Sequence, residues 1–320
     1  MSEPGSLAEL GEFGLIDRVT RDMEADPRVL VGPGDDAAVV AAPDGRIVVT
    51  TDLLVEGVHF RRDWSSPVDI GRKAAAANLA DIAAMGAVPT ALVVGFGAPG
   101  DLPAAWAVQC TAGIREEAAG PGARIVGGDV VAAERITIAI TALGDLQGRE
   151  PVLRSGARPG DVLAVAGRLG WSAAGLAILS RGFRAPRVLV DAHRFPEVAY
   201  AEGPKAAAAG ATAMIDVSDG LIADARHLAL ASSVDLVIST ADWEIPEPIA
   251  AAASAQHVDP LQWLLTGGED HALLAAFPPR ARRPEGFRVI GSVEAPGEAG
   301  PGVVVDGYRT PVAGGHEHFR

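Results

Sequence analysis

The stretch DIGRKAAAANLADIAAMGAVPTALVVGF occupies Asp69–Phe96 and places a helical segment directly before a strand segment. Asp69–Met85 is rich in alanine and is followed by Gly86, a residue typical of helix C-termini. Thr90–Phe96 is a short run rich in β-branched and apolar residues, which predicts a strand. A helix that passes into a strand within so few residues is typical of layered α/β architecture.

The segments on either side continue this alternation through residue 143. The predicted elements are helices over Leu7–Met23 and Leu102–Ala119 and strands over Val29–Val31, Ala37–Ala42, Arg46–Thr51 and Arg135–Leu143. Gln147–Gly160 is then rich in Gly, Pro and Arg, which is typical of a linker. We therefore predict one domain over residues 1–148 and a second over residues 149–320.

The second half repeats the alternation of strands and helices. The predicted strands are Val162–Ala166, Ala213–Ile215, Leu236–Ser239, Ala272–Ala276, Phe287–Ile290 and Val303–Val305. The predicted helices are Ser172–Ser180, Pro196–Ala209, Leu221–Ala231 and Pro260–Leu265. Both halves are therefore expected to be α/β or α+β layers.

Composition excludes several classes of protein. The chain has 320 residues, 48% of them hydrophobic, which is ample for a packed core. Its net charge of −14 disfavours binding to nucleic acid or to an anionic membrane. Cys110 is the only cysteine, and Met1–Leu10 shows neither the basic nor the apolar segment of a secretory signal. No apolar run is long enough to span a membrane, so we expect a cytoplasmic protein.

Acidic residues beside glycine or after apolar runs are the feature that points to chemistry. They are Asp35, Asp36, Asp52, Asp81, Asp129, Asp216, Asp219, Glu269 and Asp270. Taken singly, each could be a turn or helix-cap residue, and Asp219 could cap the helix that starts at Leu221. If these carboxylates converge, they need cations, and oxygen ligands without His or Cys favour Mg²⁺.

The helix over Asp69–Met85 carries polar residues at helical spacing. Asn78 and Asp81 are three residues apart and share a face, and Lys73 lies about 80° from Asp81 around the helix. This face could lie against the open end of a sheet, or it could be a solvated polar edge. Spacing by itself leaves both interpretations open.

Common nucleotide-binding and hydrolase motifs are absent. Neither Lys73 nor Lys205 lies in a Walker A loop, and the protein-kinase signatures and GxSxG do not occur. Gly95–Gly100 matches GxGxxG, but Pro99 and its place deep in the domain make a dinucleotide site a weak hypothesis.

Eight motifs in a fixed order resemble the thiamine-monophosphate kinase family over nearly the whole chain. They are GEFGLIDRV (11–19), GPGDDAAVV (32–40), TTDLLVEGVHF (50–60), RKAAAANLADIAAMGAVP (72–89), GGD (127–129), RSGARPGD (154–161), IDVSDGLIADARHL (215–228) and GGEDHALL (267–274). The resemblance implies ATP-dependent phosphorylation of thiamine monophosphate to thiamine diphosphate. It also implies the two-domain fold of the aminoimidazole ribonucleotide synthetase superfamily. That fold has an α/β N-terminal domain that dimerises through its sheet, an α+β C-terminal domain, and an active site in the cleft between them.

The resemblance further implies a role for each matched residue. The implied ligands of several Mg²⁺ ions are Asp36, Thr50, Thr51, Asp52, Asp81, Asp129, Asp216 and Asp219. The implied ATP contacts are Gly128, Asp129, Arg154 and Ser218, and the implied thiamine-phosphate contacts are His59 and Glu269. Since the acceptor phosphate is already ionised at neutral pH, no covalent nucleophile or general base is expected, and transfer would be direct and in line.

Two positions depart from the family pattern. The family's GGEDYEL is GGEDHAL here, with His271 and Ala272. His316 stands where the family usually has an aromatic residue that packs on the substrate. An imidazole can still stack there, but more weakly.

Other superfamily members are alternatives. Selenophosphate synthetase uses a reactive cysteine or selenocysteine near its N-terminus, whereas Cys110 lies within a predicted helix. The hydrogenase-maturation relative ends in a cysteine-bearing tail, whereas this chain ends in His318-Phe319-Arg320. Aminoimidazole ribonucleotide synthetase fits the GGED and GEFGLI motifs less well. A non-catalytic nucleotide or Mg²⁺ sensor is a further alternative, but every matched aspartate is intact.

Overall fold

A computed structural model of the chain describes residues 6–10, 12–21, 26–31 and 39–310. Asp36 and His316, both predicted site residues, lie outside the described residues. The chain forms two compact units. The first contains residues up to Ile82 together with Val88–Gln147, and the second contains Ala83–Ala87 together with the residues from Gly148 onward.

The first half of the chain builds two small sheets and their covering helices. Its elements are α1 (Leu7–Leu10), α2 (Glu12–Thr20), β1 (Val29–Val31), β2 (Val39–Val40), β3 (Val48–Val55), α3 (Pro67–Ala84), β4 (Val88–Ala98), α4 (Ala104–Ala119), β5 (Arg124–Ala132) and β6 (Thr137–Asp145). Strands β1 and β2 pair antiparallel. The four-stranded sheet has the order β3-β6-β4-β5, in which β4 and β5 run parallel and the other neighbours antiparallel.

Two strands of this unit differ from the sequence-based predictions. Within the helix predicted over Leu7–Met23, the described residues form α1 and α2, whereas Gly11 and residues 22–23 lie outside the described residues. The strand predicted to end at Thr51 continues to Val55, because its alternation of inward and outward side chains continues. Strand β5 was not predicted, since Gly127 and Gly128 weaken its strand signal.

The two faces of the four-stranded sheet differ. Alternate residues of β6, such as Ile138 and Ile140, are fully buried. The opposite face leaves apolar side chains exposed, namely Val49, Leu53, Val93 and Val131. One face of this sheet therefore packs in the core of the unit, and the other is an exposed apolar surface.

Helices α3 and α4 approach each other closely at glycines. A Cβ atom on Gly71 would lie 2.0 Å from the carbonyl oxygen of Cys110, and one on Gly113 would lie 2.1 Å from that of Val68. Real Cβ atoms do not approach other atoms so closely, so both positions require glycine at this helix separation. Cys110 itself is buried at this interface, and burial raises the pKa of its thiol to about 12.

The second half of the chain builds a larger sheet. Its elements are β7 (Val162–Ala166), α5 (Trp171–Ser180), α6 (Arg187–Arg194), α7 (Glu202–Ala208), β8 (Ala213–Val217), α8 (Leu221–Ser232), β9 (Asp235–Ile238), α9 (Glu247–Gln256), α10 (Pro260–Thr266), β10 (Ala272–Phe277), β11 (Phe287–Glu294), β12 (Gly302–Val305) and β13 (Tyr308–Arg309). The strand order is β13-β12-β9-β11-β7-β10-β8, and only β9 and β12 pair in parallel. Strand β10 is buried along its whole length, and Phe277 meets Phe287 edge-on at 5.1 Å between ring centroids.

The helical predictions were wrong over part of this unit. The helix predicted over Pro196–Ala209 begins only at Glu202, and α6 precedes it over residues that were not predicted to be helical. Helix α9 was also missed, because its run of alanines carries little amphipathic signal. The remaining predicted strands and helices of this half are present, with ends shifted by a few residues.

The close approach of α3 and α4 predicts that alanine in place of glycine lowers stability at the helix contact but not away from it. We expect Gly113→Ala to lower the free energy of unfolding by about 1–3 kcal/mol, because the added methyl group would overlap the backbone of Val68. Gly120→Ala is the matched control, since its Cβ would lie 3.5 Å from the nearest atom, the carbonyl oxygen of Glu117. Urea unfolding followed by circular dichroism measures both, and equal stabilities of the two variants would contradict this packing.

Candidate active site

Strand β3 and helix α3 bring together three of the predicted metal ligands. The hydroxyl of Thr50 donates to Oδ2 of Asp81 at 2.7 Å, and the amide of Asp52 donates to Oδ1 of Asn78 at 2.9 Å. Asn78 is completely buried, so this helix face is not a solvated edge. The shared face predicted for Asn78 and Asp81 is confirmed, because both contact the same strand. Asp52 was expected to follow the strand but lies within β3.

The predicted substrate residue His59 is held by two contacts from the first unit. The amide of Val55 donates to Nδ1 of His59 at 3.0 Å, and Nζ of the buried Lys73 donates to the carbonyl oxygen of His59 at 3.2 Å. Because Nδ1 accepts a hydrogen bond, the neutral ring carries its proton on Nε2. The ring and the backbone of His59 are therefore both held in place.

Thr51 and Asp129 lie on the exposed face of the four-stranded sheet. The hydroxyl of Thr51 donates to the carbonyl oxygen of Ile140 at 3.0 Å. Asp129 pairs with Gly95 in the row of the sheet that also contains Leu53, and paired residues point to the same side. Neither side chain thus joins Thr50, and only main-chain atoms of Thr51 could reach a group on the Thr50 side.

In the second unit, Asp216 near the end of β8 contacts a histidine. Nδ1 of His271 lies 3.1 Å from Oδ2 of Asp216, and both side chains are buried. His271 occupies the position at which the sequence departs from the family pattern. Its ring here orients a predicted metal ligand, as partners of ligating carboxylates commonly do.

Two loops that pack closely at glycines carry the predicted site residues Ser218, Asp219 and Glu269. A Cβ on Gly220 would lie 2.6 Å from the carbonyl oxygen of Thr266, and one on Gly268 would lie 2.3 Å from that of Ser218. The amide of Glu269 also donates to the carbonyl oxygen of Ser218 at 2.7 Å. The backbones of the two loops therefore interlock, which fixes the spacing of Ser218 and Glu269.

Asp219 does not cap helix α8. The N-cap is Gly220, without a side-chain hydrogen bond, and the amide of Asp219 instead donates to Oδ2 of Asp224 at 2.9 Å. Asp224 is buried, and burial together with the charge of Asp216 raises its pKa to about 7. Sequence reasoning did not select Asp224, although a carboxylate beside Leu221 and Ala225 on the apolar face of α8 is a usable signal.

Asp270 holds the start of helix α5. Its Oδ1 accepts the amide of Ser172 at 2.9 Å, and its Oδ2 has no hydrogen-bond partner among the described residues. Burial raises the pKa of Asp270 to about 7, against the lowering effect of backbone donors at the helix start. Two buried residues that the sequence analysis did not select lie here as well: His193 contacts Glu269, and Ser172 contacts His193.

Arg154 is exposed, and two contacts of the backbone hold the loop that carries it. The hydroxyl of Ser232 donates to the carbonyl oxygen of Arg154 at 2.6 Å, and a Cβ on Gly156 would lie 1.8 Å from that of Thr212. The guanidinium is thus presented by a restrained backbone, which suits contact with a phosphate.

The described residues contain no group of three or more His, Cys, Asp or Glu side chains arranged to hold a metal ion. The hydroxyl of Thr50 and the carboxylate of Asp81 do lie together, with Asp52 two residues further along β3 on the same face of the strand, and oxygen ligands of this kind fit Mg²⁺. No helix in the described part of the chain is both long and apolar enough to cross a membrane.

The chain matches known proteins over nearly its whole length. Residues 34–146 match the family described as AIR synthase related protein, N-terminal domain. The thiamine-monophosphate kinase of Mycobacterium tuberculosis is 51% identical over 99% of this chain and 94% of that protein. That of Corynebacterium glutamicum is 42% identical over 90% and 87%. A solved structure described as AaThiL complexed with AMPPCP and TMP has a TM-score of 0.80 at 33% identity, covering 99% of this chain and all of that one.

The buried carboxyl of Asp270 predicts a pH-dependent stability. Its pKa in the folded protein, about 7, exceeds the ordinary 3.8, so the folded state retains a proton that the unfolded state has lost. Relative to Asp270→Asn, the unaltered protein should lose free energy of unfolding as pH rises from about 4 to about 7, and no more above 7. Urea unfolding of both proteins at pH 5, 6, 7 and 8 measures this difference, and a difference that does not change with pH would contradict it.

Proposed function

Because the chain belongs to the thiamine-monophosphate kinase family, we propose that it binds ATP and thiamine monophosphate and makes thiamine diphosphate. The γ-phosphoryl group of ATP is transferred to the phosphate of thiamine monophosphate. The 51% identity to a named thiamine-monophosphate kinase, over almost the full length of both chains, is the observation that carries this function. The related complex with AMPPCP, an ATP analogue, and TMP supports both ligands.

The transfer needs orientation and charge neutralisation more than proton transfer. The acceptor phosphate is already ionised at neutral pH, so it can attack in line without a general base. No covalent intermediate is proposed. Cys110 is unsuitable as a nucleophile, because it is buried and its pKa is raised. The chain's task is to hold two polyanions together in one orientation.

Several Mg²⁺ ions are proposed as cofactors, with ATP as co-substrate. The proposed ligands on the helix side of β3 are Thr50, Asp52 and Asp81, with Asp36 in addition, and those of the second unit are Asp216 and Asp219. Asp129, on the opposite face of its sheet, is proposed for a different ion, and Thr51 for a main-chain contact only. When bound, the ions neutralise phosphate charge that side-chain cations cannot balance alone.

The remaining assignments concern the two substrates. Gly128, Asp129, Arg154 and Ser218 are proposed to contact ATP, with the exposed guanidinium of Arg154 on a phosphate. His59, Glu269 and His316 are proposed to contact thiamine monophosphate. The two hydrogen bonds that hold His59 in one orientation support its role as a contact of the acceptor.

A homodimer is proposed through the exposed face of the four-stranded sheet. Val49, Leu53, Val93 and Val131 expose apolar side chains on three of its strands, on the face that also carries Asp129, and exposed apolar surface is typical of protein interfaces. The net charge of −14 argues against nucleic acid and anionic membranes as partners. A cytoplasmic location is proposed with this function.

A direct assay tests the function. The purified protein with ATP, Mg²⁺ and thiamine monophosphate should form thiamine diphosphate, detected by chromatography, and thiamine without its phosphate should be a poor acceptor. Asp52→Asn should remain folded and form no product, because it loses a carboxylate on the proposed metal side of β3. If Asp52→Asn forms as much product as the unaltered protein, either a contaminating kinase is present or Asp52 is not a metal ligand. If the unaltered protein forms no product, the proposed function is refuted.

The contact between β3 and α3 predicts that substitutions of Thr50 and Thr141 affect Mg²⁺ affinity differently. Thr50→Val removes the hydroxyl that orients Asp81, and we expect its Mg²⁺ affinity to fall about tenfold or more. Thr141→Val is the control, since Thr141 donates a similar hydrogen bond, 3.3 Å long, to Thr51 on the opposite face. Calorimetric Mg²⁺ titration in the presence of AMPPCP measures both, and equal affinities would count against Asp81 as a ligand.

A further inference from the structure

Glu269 touches a buried histidine that no assigned role uses. Nδ1 of His193 lies 3.4 Å from Oε2 of Glu269 and 3.0 Å from Oγ of Ser172. His193 and Ser172 are both buried, whereas the side chain of Glu269 is about one-third exposed. The carboxylate therefore lies at the surface with the imidazole beneath it.

The carboxylate of Glu269, 3.4 Å from Nδ1 of His193, favours the form of the ring that carries a proton on Nδ1. A lone pair on Nδ1 would face the negative Oε2 of Glu269, and that approach is repulsive. With the proton on Nδ1, the ring donates toward Glu269, and the hydroxyl of Ser172 lies 3.0 Å from the same nitrogen. A hydrolytic Ser-His-Glu triad uses the two ring nitrogens separately, so this shared nitrogen is not that arrangement.

The main chain around Glu269 is held in place, so only the direction of its side chain can vary. Glu269 has a φ of +64°, and its amide is bonded to the carbonyl oxygen of Ser218. The next residue, Asp270, is tied to the amide of Ser172. With its main chain held on both sides, the direction of the Glu269 carboxylate depends on what its oxygens contact.

We propose that His193 is a positioning residue for the thiamine-phosphate acceptor, acting by donating from Nδ1 to the carboxylate of Glu269. The acceptor carries a cationic thiazolium ring and an aminopyrimidine, and both groups favour an ionised, oriented carboxylate. Ser172 restrains the ring of His193 through a contact with the same nitrogen. This inference rests on the proposed function, since it takes Glu269 as an acceptor contact.

Three substitutions at His193 separate positioning from a structural role. His193→Asn places an amide nitrogen near the position of Nδ1, whereas His193→Gln places it near Nε2 and His193→Phe provides none. We expect the KM for thiamine monophosphate to rise about tenfold in His193→Gln and His193→Phe and to stay within about twofold in His193→Asn. The value of kcat and the KM for ATP should change by less than about twofold in all three.

Two further measurements keep the test decisive. In a Glu269→Gln background, His193→Gln should raise the KM for thiamine monophosphate no further, because the interaction is already lost. His227→Gln, at an exposed histidine of α8, is the matched control and should leave all constants unchanged. If His193→Gln does not fold, Ser172→Ala takes its place, with a smaller rise in the same KM expected.

The outcomes are distinguishable from failure of the proposed function. An unaltered protein that forms no thiamine diphosphate refutes the function itself. An active protein in which Glu269→Gln leaves the acceptor KM unchanged refutes the role of Glu269. An active protein in which Asn and Gln at position 193 behave alike, or in which the loss falls equally on ATP, overturns the role of His193.

Discussion

Close approach of backbone to backbone at glycines determines where the polar side chains of each unit lie. In the first unit, Gly71 and Gly113 allow α3 to pack directly on α4. In the second unit, Gly220 and Gly268 allow two loops to interlock through main-chain atoms. Contacts of this kind have little freedom to adjust, because no flexible side chain lies between them. The site residues on these elements are consequently held by rigid backbone, which is what phosphoryl transfer by orientation requires.

Buried polar groups extend this rigidity from the backbone to the side chains. Asn78 bonds the main chain of β3, and Asp270 bonds the start of α5. Burial raises the pKa values of Asp270 and Asp224 to about 7, which shows that their carboxyls are costly to ionise where they lie. Such groups lower stability unless they are satisfied by hydrogen bonds, and here each restrains a loop or helix start next to a proposed ligand. His193 extends the same arrangement to Glu269.

Much of the fold was predictable from local patterns, and the exceptions have physical causes. Strand β6 is present as predicted because its alternation is regular, and helix α3 is present because alanine and leucine favour a helix and Gly86 marks its end. Strand β5 escaped prediction because paired glycines carry no strand preference, yet parallel pairing with β4 makes it a strand. Helix α6 was missed for another reason: it is only eight residues long and contains two β-branched valines, although it packs against α5.

The sequence by itself determined the family, because eight short motifs in fixed order specify it even though each alone is weak. It also determined the chemistry of the donors, since oxygen-rich, glycine-flanked aspartates favour Mg²⁺ whatever the fold. Only the tertiary structure decided which neighbours act together: Thr50 faces Asp81, whereas Thr51 and Asp129 lie on the opposite side of the sheet. The reason is that side chains of a strand alternate between two faces, and which face a helix covers depends on strand pairing and helix packing between residues far apart in the chain.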